Sequence, residues 1–387
     1  CRLTVGFWLL AYGILTVARG RPTAAINPSS AELTQMEEVN MISTAKCTAI
    51  GLLTVSSFAT PVAAEQLTYS FGFPTQTAIG EAAENFAAAV EDRSGGDVTV
   101  RNFPMTLMSL LETGPGIRDG LADIGYVLAP YYAAEYPHYS LLHELTMSVN
   151  LRDMTGKENL AYAGAITEFT FENCDRCRED FAAQNQVYLS GATSSIYSLL
   201  CTTPVVSQED LQNKKIRAGS PSFSRFAEHF GATGIQMASD EVFEGLSQGV
   251  LDCAMLSAPE LTTHSLKDVV SDVTLGVPGG IYAGAAVGNM NMDSWQALTE
   301  TQRDAVLWGA HILSADISWN YYEREGKNRE MAAEMGINIH EASEEFREEI
   351  RDYVRDDLKR VANIFEADYG VENAQAMIDE FLPVLDT

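Results

Sequence analysis

The sequence predicts an α/β protein built from two lobes, and three observations lead to this fold class. The chain has 387 residues, which is too long for one ordinary domain and sufficient for two, each with its own core. The first patterned segment reads strand, helix, strand, which is the unit of a parallel sheet covered by helices. Two other segments of the chain resemble each other, as expected of two similarly built lobes that face one cleft.

The strand–helix–strand unit opens the patterned part of the chain. Residues 67–71 alternate as a strand, 78–92 carry apolar side chains at helical spacing, and 98–103 form a second strand. In parallel sheets, ligands bind beyond the carboxyl ends of the strands. The first strand ends next to three residues that we therefore expect at a binding edge: Phe73, Pro74 and Thr75.

The two similar segments are residues 117–126 and 246–255. Each starts with the end of a helix and continues with a glycine, Gly120 or Gly249, that suits a left-handed cap. Each then reads x-x-Asp before an apolar strand rich in small residues. The recurrence favours two lobes of related construction.

The second half of the chain continues to alternate strands and helices. Residues 187–199 and 216–218 read as strands, and 220–230 reads as a helix that begins with Ser and Pro. Residues 234–237 predict another strand, and 240–246 predict the helix that follows it.

Two long amphipathic helices are predicted in the C-terminal part, at residues 295–320 and 343–365. The second of them is heavily charged. We expect both helices to brace the two lobes rather than to begin a new sheet.

The N-terminal part predicts export. Residues 41–64 combine Lys46, a short apolar run at 49–58 and small residues before Glu65, which is the pattern of a secretory signal peptide. The apolar run is too short to span a bilayer. The mature protein is expected to begin at or near Glu65. Residues 1–40 lack an initiating Met and differ in composition, so we treat them as a doubtful upstream extension.

The charge excludes two classes of partner. The formal net charge is -28, with 53 acidic and 25 basic residues. Nucleic acid and anionic lipid headgroups would both be repelled by such a chain. We therefore expect no nucleic-acid partner and no direct lipid binding.

The cysteines indicate disulfide pairing in the exported chain. Four cysteines follow the signal peptide, and an even number in an exported protein suggests pairing. Cys174 and Cys177, which form a C-x-x-C motif, could be a local disulfide, a redox pair or half of a metal site. The position of this motif after a helical stretch favours the disulfide. No second C-x-x-C motif or nearby His pair completes a zinc site. We expect Cys174 and Cys177 to pair locally, and Cys201 and Cys253 to lie on neighbouring strands, close enough to pair or nearly so.

The sequence contains none of the motifs that we associate with catalysis. It has no G-x-S-x-G, H-E-x-x-H, Walker or G-x-G-x-x-G motif, and its six histidines show no metal-ligand spacing. We predict no catalytic residues, no metal and no cofactor.

Several stretches together identify a family. Residues 204–217 end in D-L-Q-N-K-K-I-R, and G-V-L-D follows at 249–252. With G-L-A-D at 120–123 and W-Q-A-L-T at 295–299, they resemble the substrate-binding proteins of tripartite ATP-independent periplasmic (TRAP) transporters. The resemblance covers nearly all of residues 66–385. It implies a two-lobed periplasmic solute-binding fold with a long lobe-spanning helix.

The resemblance also implies a binding site. In that family the Arg that ends K-I-R grips the ligand carboxylate, and Arg217 stands in its place. The sequence departs from the family at three points: Tyr197 stands where many members have a second Arg, Leu256 or Ser257 replaces an Asn, and Ser239 replaces an aromatic residue. The full set of expected ligand-binding residues is Phe73, Pro74, Thr75, Tyr126, Tyr197, Arg217, Ser220, Pro221, Ser222, Ser239, Leu256 and Ser257.

These features predict a periplasmic protein that captures a small organic acid and delivers it to TRAP transporter membrane subunits. The expected site has one cation fewer than in many members of the family, and its lining is apolar and aromatic. These two features favour a monocarboxylate with an apolar or aromatic body. Two alternatives are an exported lyase or hydrolase on a two-lobed scaffold and a ligand-sensing module of a receptor. The expected division assigns 65–193 and 282–320 to lobe I, and 194–281 and 321–387 to lobe II.

Overall fold

The computed structural model describes residues 64–154 and 156–386. The predicted upstream extension and, apart from Ala64, the predicted signal peptide lie outside the described residues. The strands are β1 Glu65–Phe71, β2 Val98–Pro104, β3 Ile124–Leu128, β4 Gln186–Val187, β5 Gly191–Ala192, β6 Ser198–Cys201, β7 Lys215–Ala218, β8 Thr233–Gln236, β9 Cys253–Leu256, β10 Asp272–Leu275, β11 Ala285–Asn291 and β12 Asn338–Glu341. The helices are α1 Ala78–Ser94, α2 Leu110–Arg118, α3 Pro137–Glu144, α4 Glu158–Glu172, α5 Asp175–Ala183, α6 Pro221–His229, α7 Val242–Ser247, α8 Glu260–Thr263, α9 Met292–Ala297, α10 Glu300–Glu334, α11 Glu344–Asp368 and α12 Ala374–Phe381.

The strands form two mixed six-stranded sheets. The first sheet has the order β2-β1-β3-β11-β4, with β5 paired to β11, and β1 lies parallel to both β2 and β3. The second has the order β12-β10-β6-β9-β7-β8, and β7 lies parallel to both β8 and β9. Helices pack around each sheet, so the predicted two-lobed α/β class is confirmed.

Helix α1 illustrates how the sequence specifies these elements. Its first turn is capped by Thr77, whose hydroxyl accepts a hydrogen bond from the Gly80 N–H (3.1 Å). Its buried face follows helical spacing, with residues such as Phe86 and Val90. That face lies against α10, where a β-carbon at Gly309 would come within 2.5 Å of Val90. Glycine is therefore required for this close approach.

The left-handed glycines predicted from the two similar segments are confirmed. Gly120 has a φ of 76° and Gly249 has a φ of 71°. Each lies a few residues before a strand, β3 in the first sheet and β9 in the second. The recurrence in the sequence therefore corresponds to equivalent turns in the two lobes.

The prediction of one strand over 187–199 is wrong, because the chain passes from one sheet to the other within this range. It leaves the first sheet after β5 and enters the second at β6. The crossing segment is hydrogen-bonded to a second crossing at 276–284. Ser194 N–H donates to the Tyr282 carbonyl, and Tyr197 N–H donates to the Gly280 carbonyl, each at 2.9 Å. These paired crossings form the connection between the lobes.

The prediction of a continuous helix over 295–320 is also wrong. The chain forms the short helix α9, breaks at Leu298, and then forms α10, which is 35 residues long. The break follows from a capping box, in which Thr299 accepts from Gln302 N–H while the Gln302 side chain accepts from Thr299 N–H. At 1.5 Å per residue, α10 is roughly 50 Å long and leads to β12 in the second sheet.

The last helix packs differently from the expected division, which assigned all of 321–387 to lobe II. Phe381 in α12 lies against Tyr162 and Phe169 of α4, with ring centroids 5.4 and 5.3 Å apart. Helix α4 precedes β4 and β5 of the first sheet. The C-terminal residues therefore return to the lobe in which the described chain begins.

Both expected cysteine pairs are bonded in the structure. Cys174 and Cys177 form a disulfide at the start of α5, with α-carbons 5.3 Å apart. Cys201 on β6 stands opposite Cys253 on β9, and these two residues also form a disulfide, with α-carbons 4.0 Å apart. The second bond links neighbouring strands of the sheet that carries β7.

Candidate ligand-binding site

A cavity lies between the two sheets, where strands from both lobes end. Polar and aromatic side chains converge on this cavity, as is common in sites for small molecules. Its walls come from both lobes, from the crossing segments and from α10. The lining residues are Phe73, Tyr126, Leu128, Tyr131, Ser194, Tyr197, Arg217, Ser239, Leu256, Glu260, Tyr282 and Tyr321.

Arg217 on β7 is the cation of this cavity and is 1% exposed. Its Nε donates to the Met237 carbonyl (2.9 Å), Nη1 to the Met255 carbonyl (3.1 Å) and Nη2 to the Tyr131 hydroxyl (3.1 Å). All three partners are neutral, and no described carboxylate lies within ion-pair distance of the guanidinium. A buried charge without a counter-charge is costly, so this position favours an anion.

Two donors converge on the hydroxyl of Tyr131, which reaches across from the first lobe. The hydroxyl oxygen accepts from Arg217 Nη2 at 3.1 Å and from Ser239 N–H at 3.2 Å. Both donors belong to the second lobe. A carboxylate oxygen would find the same two donors within reach, because they already point at one oxygen atom.

Three buried tyrosines of the cavity are neutral at physiological pH. Burial raises the pKa of Tyr126, Tyr197 and Tyr282 well above the value of an exposed phenol. Phe73 and Tyr126 pack edge to face, with ring centroids 5.2 Å apart. The walls therefore combine flat apolar surfaces with neutral hydroxyl groups.

Glu260 at the start of α8 is the carboxylate of the cavity lining and is 5% exposed. Its Oε1 accepts a hydrogen bond from the Tyr321 hydroxyl of α10 at 2.7 Å. Its Oε2 lies 3.2 Å from His264 Nε2. The cavity thus contains a cation, Arg217, and a carboxylate, Glu260.

Six of the twelve residues expected from the sequence line the cavity: Phe73, Tyr126, Tyr197, Arg217, Ser239 and Leu256. Another six lie outside the lining: Pro74, Thr75, Ser220, Pro221, Ser222 and Ser257.

Local contacts or exposure are evident for five of these six residues. The Pro74 carbonyl accepts from the Thr77 side chain at the start of α1, and Thr75 is exposed. The hydroxyls of Ser220 and Ser222 lie 2.8 Å apart, and Ser222 N–H donates to Glu144 of α3. This turn therefore faces α3 rather than the cavity. The Ser257 carbonyl accepts from an N–H at the start of α8.

Sequence reasoning missed six lining residues: Leu128, Tyr131, Ser194, Glu260, Tyr282 and Tyr321. Leu128, Tyr131 and Glu260 lie at or just beyond the carboxyl ends of β3 and β9. The rule that located Phe73 would have found them. Ser194 and Tyr282 lie on the two crossing segments, and no local pattern marks Tyr321 within the long helix α10.

The described residues contain neither a metal-ligand cluster nor a membrane-spanning helix. Residues 64–154 and 156–386 contain no group of three or more His, Cys, Asp or Glu side chains placed to hold a metal ion. No helix in these ranges has both the length and the apolar character that crossing a membrane requires.

Residues 71–364 match the family model of the bacterial extracellular solute-binding proteins, family 7. The chain belongs to this family. The family 7 assignment agrees with the resemblance to TRAP transporter binding proteins predicted from the sequence, which is confirmed.

Two curated relatives of this family 7 protein share part of its sequence. A solute-binding protein of Albidiferax ferrireducens is 23% identical over 224 residues, which are 58% of this chain and 63% of that protein. The outer membrane transporter protein TsaT of Comamonas testosteroni is 29% identical over 150 residues, which are 38% of this chain and 44% of that protein. The matched parts cover less than two thirds of either relative.

Solved structures of TRAP solute-binding proteins share the fold of this family 7 chain. One from an unidentified marine microbe, specific for aromatic acid ligands, is 18% identical, has a TM-score of 0.72 and covers 83% of this chain and 98% of its own. An extracytoplasmic solute receptor from Bordetella pertussis that binds pyroglutamic acid also shares the fold. It is 18% identical, has a TM-score of 0.69 and covers 82% of this chain and 99% of its own. A TRAP periplasmic solute-binding protein from Bordetella bronchiseptica with bound mandelate is 20% identical and has a TM-score of 0.68. The match covers 83% of this chain and 98% of that chain.

Proposed function

We propose that this chain captures a small monocarboxylate with an apolar or aromatic body in the periplasm and delivers it to the membrane subunits of a TRAP transporter. The observation that carries the proposal is Arg217, a buried guanidinium at the cavity wall with neutral partners. A planar carboxylate is the natural partner of this planar group. Closure of two lobes around such an acid would bury it completely.

The charges of the lining residues support a ligand with a single carboxylate. Among the twelve lining residues that the structure describes, Arg217 is the one cation and Glu260 the one carboxylate. A second carboxylate on the ligand would meet no second cation and would be repelled by Glu260. The related structures named above bind aromatic acids, pyroglutamic acid and mandelate, which are all carboxylic acids.

The hydroxyl of Ser194 in the cavity gives no support to a hydrolase. Ser194 Oγ donates to the Ser195 carbonyl (2.8 Å) and accepts from Tyr282 N–H (2.9 Å), so backbone groups engage its hydroxyl. A nucleophile would instead need a positioned base. The matched family consists of solute-binding proteins rather than enzymes.

Neighbouring genes for a small and a large membrane subunit would distinguish a transporter component from a ligand-sensing receptor module.

Calorimetry on Arg217 variants tests the proposal. A thermal-shift screen of organic acids first selects a ligand, since an acid at a hundred times its Kd adds about 2.7 kcal/mol to the free energy of unfolding. Arg217→Ala should then raise Kd by a hundredfold or more, because truncation leaves a buried anion unpaired at a cost of about 2–5 kcal/mol. Arg217→Lys should recover part of the loss, because one ammonium cannot reproduce two parallel hydrogen bonds.

Lys215→Ala provides the matched control. Lys215 lies two residues earlier on β7, and its Nζ donates to the Gly249 carbonyl at the surface. This variant removes the same charge from the same strand and should leave Kd unchanged. Equal affinity of Arg217→Ala and the unsubstituted protein would refute the proposed clamp.

A further inference from the structure

We propose that the ligand carries a hydrogen-bond donor in addition to its carboxylate, and that Glu260 Oε2 accepts this donor. The donor would be a hydroxyl, an amide N–H or an ammonium group. This inference rests on the proposed function, because it names the substrate class of the same cavity. It follows from the unpaired oxygen of the Glu260 carboxylate and from the presence of Glu260 and Arg217 in the lining of one cavity.

The two oxygens of Glu260 differ in their surroundings. Oε1 accepts from the Tyr321 hydroxyl at 2.7 Å, whereas Oε2 is buried and accepts no hydrogen bond from any described residue. His264 Nε2 lies 3.2 Å from Oε2 but is not aligned to donate, and it also has no hydrogen-bond partner. Buried carboxylate oxygens nearly always have partners, so an unpaired one at a cavity wall requires an explanation.

A ligand donor supplies that explanation. The residue lines the cavity and is 5% exposed, so a donor inside the cavity can reach a carboxylate that bulk water reaches poorly. A donor on the ligand would restore the missing hydrogen bond, and an ammonium group would also neutralise the charge. An apolar ligand end would instead seal the oxygen in a dry site, at a cost in affinity.

The cavity provides the two charged groups with a common aromatic wall. Tyr197 lines this cavity together with Arg217 and Glu260, and it is 4% exposed. Phe73 and Tyr126 add flat aromatic surfaces to the same lining. The expected ligand has a carboxylate, a flat apolar body and a hydrogen-bond donor.

The same arrangement selects against dicarboxylates. A second carboxylate directed away from Arg217 would approach Glu260, and two carboxylates at close range repel each other in a buried site. Specificity would therefore come from attraction of a donor and from repulsion of an acid at the same position.

The test uses pairs of acids that differ in the donor. The pairs are phenylacetate with 3-hydroxyphenylacetate, cyclopentanecarboxylate with pyroglutamate, and cyclohexanecarboxylate with 4-hydroxycyclohexanecarboxylate. In each pair that binds, calorimetry should give the donor-bearing acid a Kd roughly tenfold lower, which corresponds to about 1.4 kcal/mol.

The variant Glu260→Gln should abolish or reverse this preference. Its amide oxygen can still accept from Tyr321, which places an NH₂ group, itself a donor, at the position of Oε2. The donor-free acids should bind the variant at least as tightly as the unsubstituted protein. Asp268→Asn is the control, because Asp268 is an exposed carboxylate shortly after α8 and its loss should not change either Kd.

The outcomes separate this inference from the proposed function. If acids bind and depend on Arg217, but the members of every pair bind equally to the unsubstituted protein and to Glu260→Gln, the donor inference is wrong and the proposed function stands. If none of the six acids binds, or if Arg217→Ala leaves their binding unchanged, the proposed function fails and this inference fails with it.

Discussion

His143 of α3 is fully buried and has neutral surroundings. Its ring lies 4.5 Å from that of Tyr282 and 6.2 Å from that of Phe223. Its Nδ1 accepts a hydrogen bond from Ala283 N–H at 3.3 Å, which requires an unprotonated nitrogen. Burial lowers the pKa of His143 to about 3. The residue is therefore neutral in the folded protein and supports the crossing segment that carries Tyr282.

This pKa predicts a loss of stability in acid. An unfolded histidine has a pKa of about 6.5, so between about pH 6.5 and pH 3 the unfolded chain binds the extra proton. The free energy of unfolding should fall with decreasing pH in this window, by up to about 1.4 kcal/mol per pH unit from this residue.

Urea unfolding between pH 7 and pH 4 measures the effect. His143→Gln should be less stable at pH 7 but should show a shallower pH dependence, because its side chain does not titrate. His229→Gln changes an exposed histidine and should retain the full dependence. Parallel pH profiles for the unsubstituted protein and His143→Gln would contradict the assignment.

At the residue scale, the sequence identified the cation of the site but only part of its surroundings. Arg217 belongs to a local pattern, D-L-x-x-x-K-I-R, and Tyr197 and Ser239 were found by alignment with the same family. Glu260 and Tyr321 meet through a hydrogen bond between helices that are distant in the chain. No local spacing reveals such a contact, because it depends on how α10 lies across the cavity.

A buried ion-pair cluster joins three helices at the element scale. Arg225 on α6 donates from Nη1 to Glu144 Oε2 of α3 (2.8 Å) and from Nε and Nη2 to Asp357 of α11 (3.0 and 2.8 Å). Burial opposes the charge of Arg225, but the two carboxylates outweigh it and raise its pKa. The carboxylate side chains are 1% and 5% exposed, so this guanidinium neutralises charges that water scarcely reaches.

Removal of this arginine should destabilise the protein strongly. Arg225→Met keeps a long side chain but leaves Glu144 buried without a cation and leaves Asp357 with the 3.4 Å contact to Arg360 alone. We expect a loss of about 3–5 kcal/mol in the free energy of unfolding, measured by denaturant titration at pH 7.

A second arginine on the same carboxylate provides the comparison. Arg360 also contacts Asp357, at 3.4 Å, but its side chain is 52% exposed. Arg360→Met should therefore cost no more than about 1 kcal/mol. Equal losses in the two variants would show that burial does not determine the strength of this cluster.

Element boundaries were predictable where a local signal marks them. The capped helix α1 and the glycine before β3 lie where the sequence places them. The break before α10 was missed because the capping box at Thr299 lies inside an otherwise continuous helical pattern. The three short strands in 186–201 were missed because an apolar run does not show at which residue the chain changes sheets.

At the scale of the whole molecule, contacts across the cleft join the two lobes. Tyr131 of the first lobe accepts from Arg217 and Ser239 of the second, and Arg225 reaches Glu144 across the same divide. The two lobes were predictable because each repeats a turn that the sequence displays. The return of α12 to the first lobe was not, because an amphipathic helix does not specify which partner covers its apolar face.

The long helix α10 carries a tryptophan, Trp319, close to the cavity, and its fluorescence is expected to respond to ligand binding. Tyr321 faces the cavity, whereas the neighbouring Tyr322 lies 5.4 Å from the ring of Trp319, which is 51% exposed. Ligand contact with Tyr321 therefore takes place within one helical turn of the exposed indole of Trp319. We expect a titration with a bound acid to change the intrinsic tryptophan emission, with a midpoint equal to the calorimetric Kd.

The indole responsible can be identified by substitution. Trp319→Phe should remove most of this change, while Trp308→Phe, a matched change at a 50% exposed tryptophan three turns earlier on α10, should preserve it. A signal that survives in Trp319→Phe would place its origin elsewhere. If Trp319 is the source of the emission change, ligand binding can be followed by intrinsic fluorescence without an attached dye.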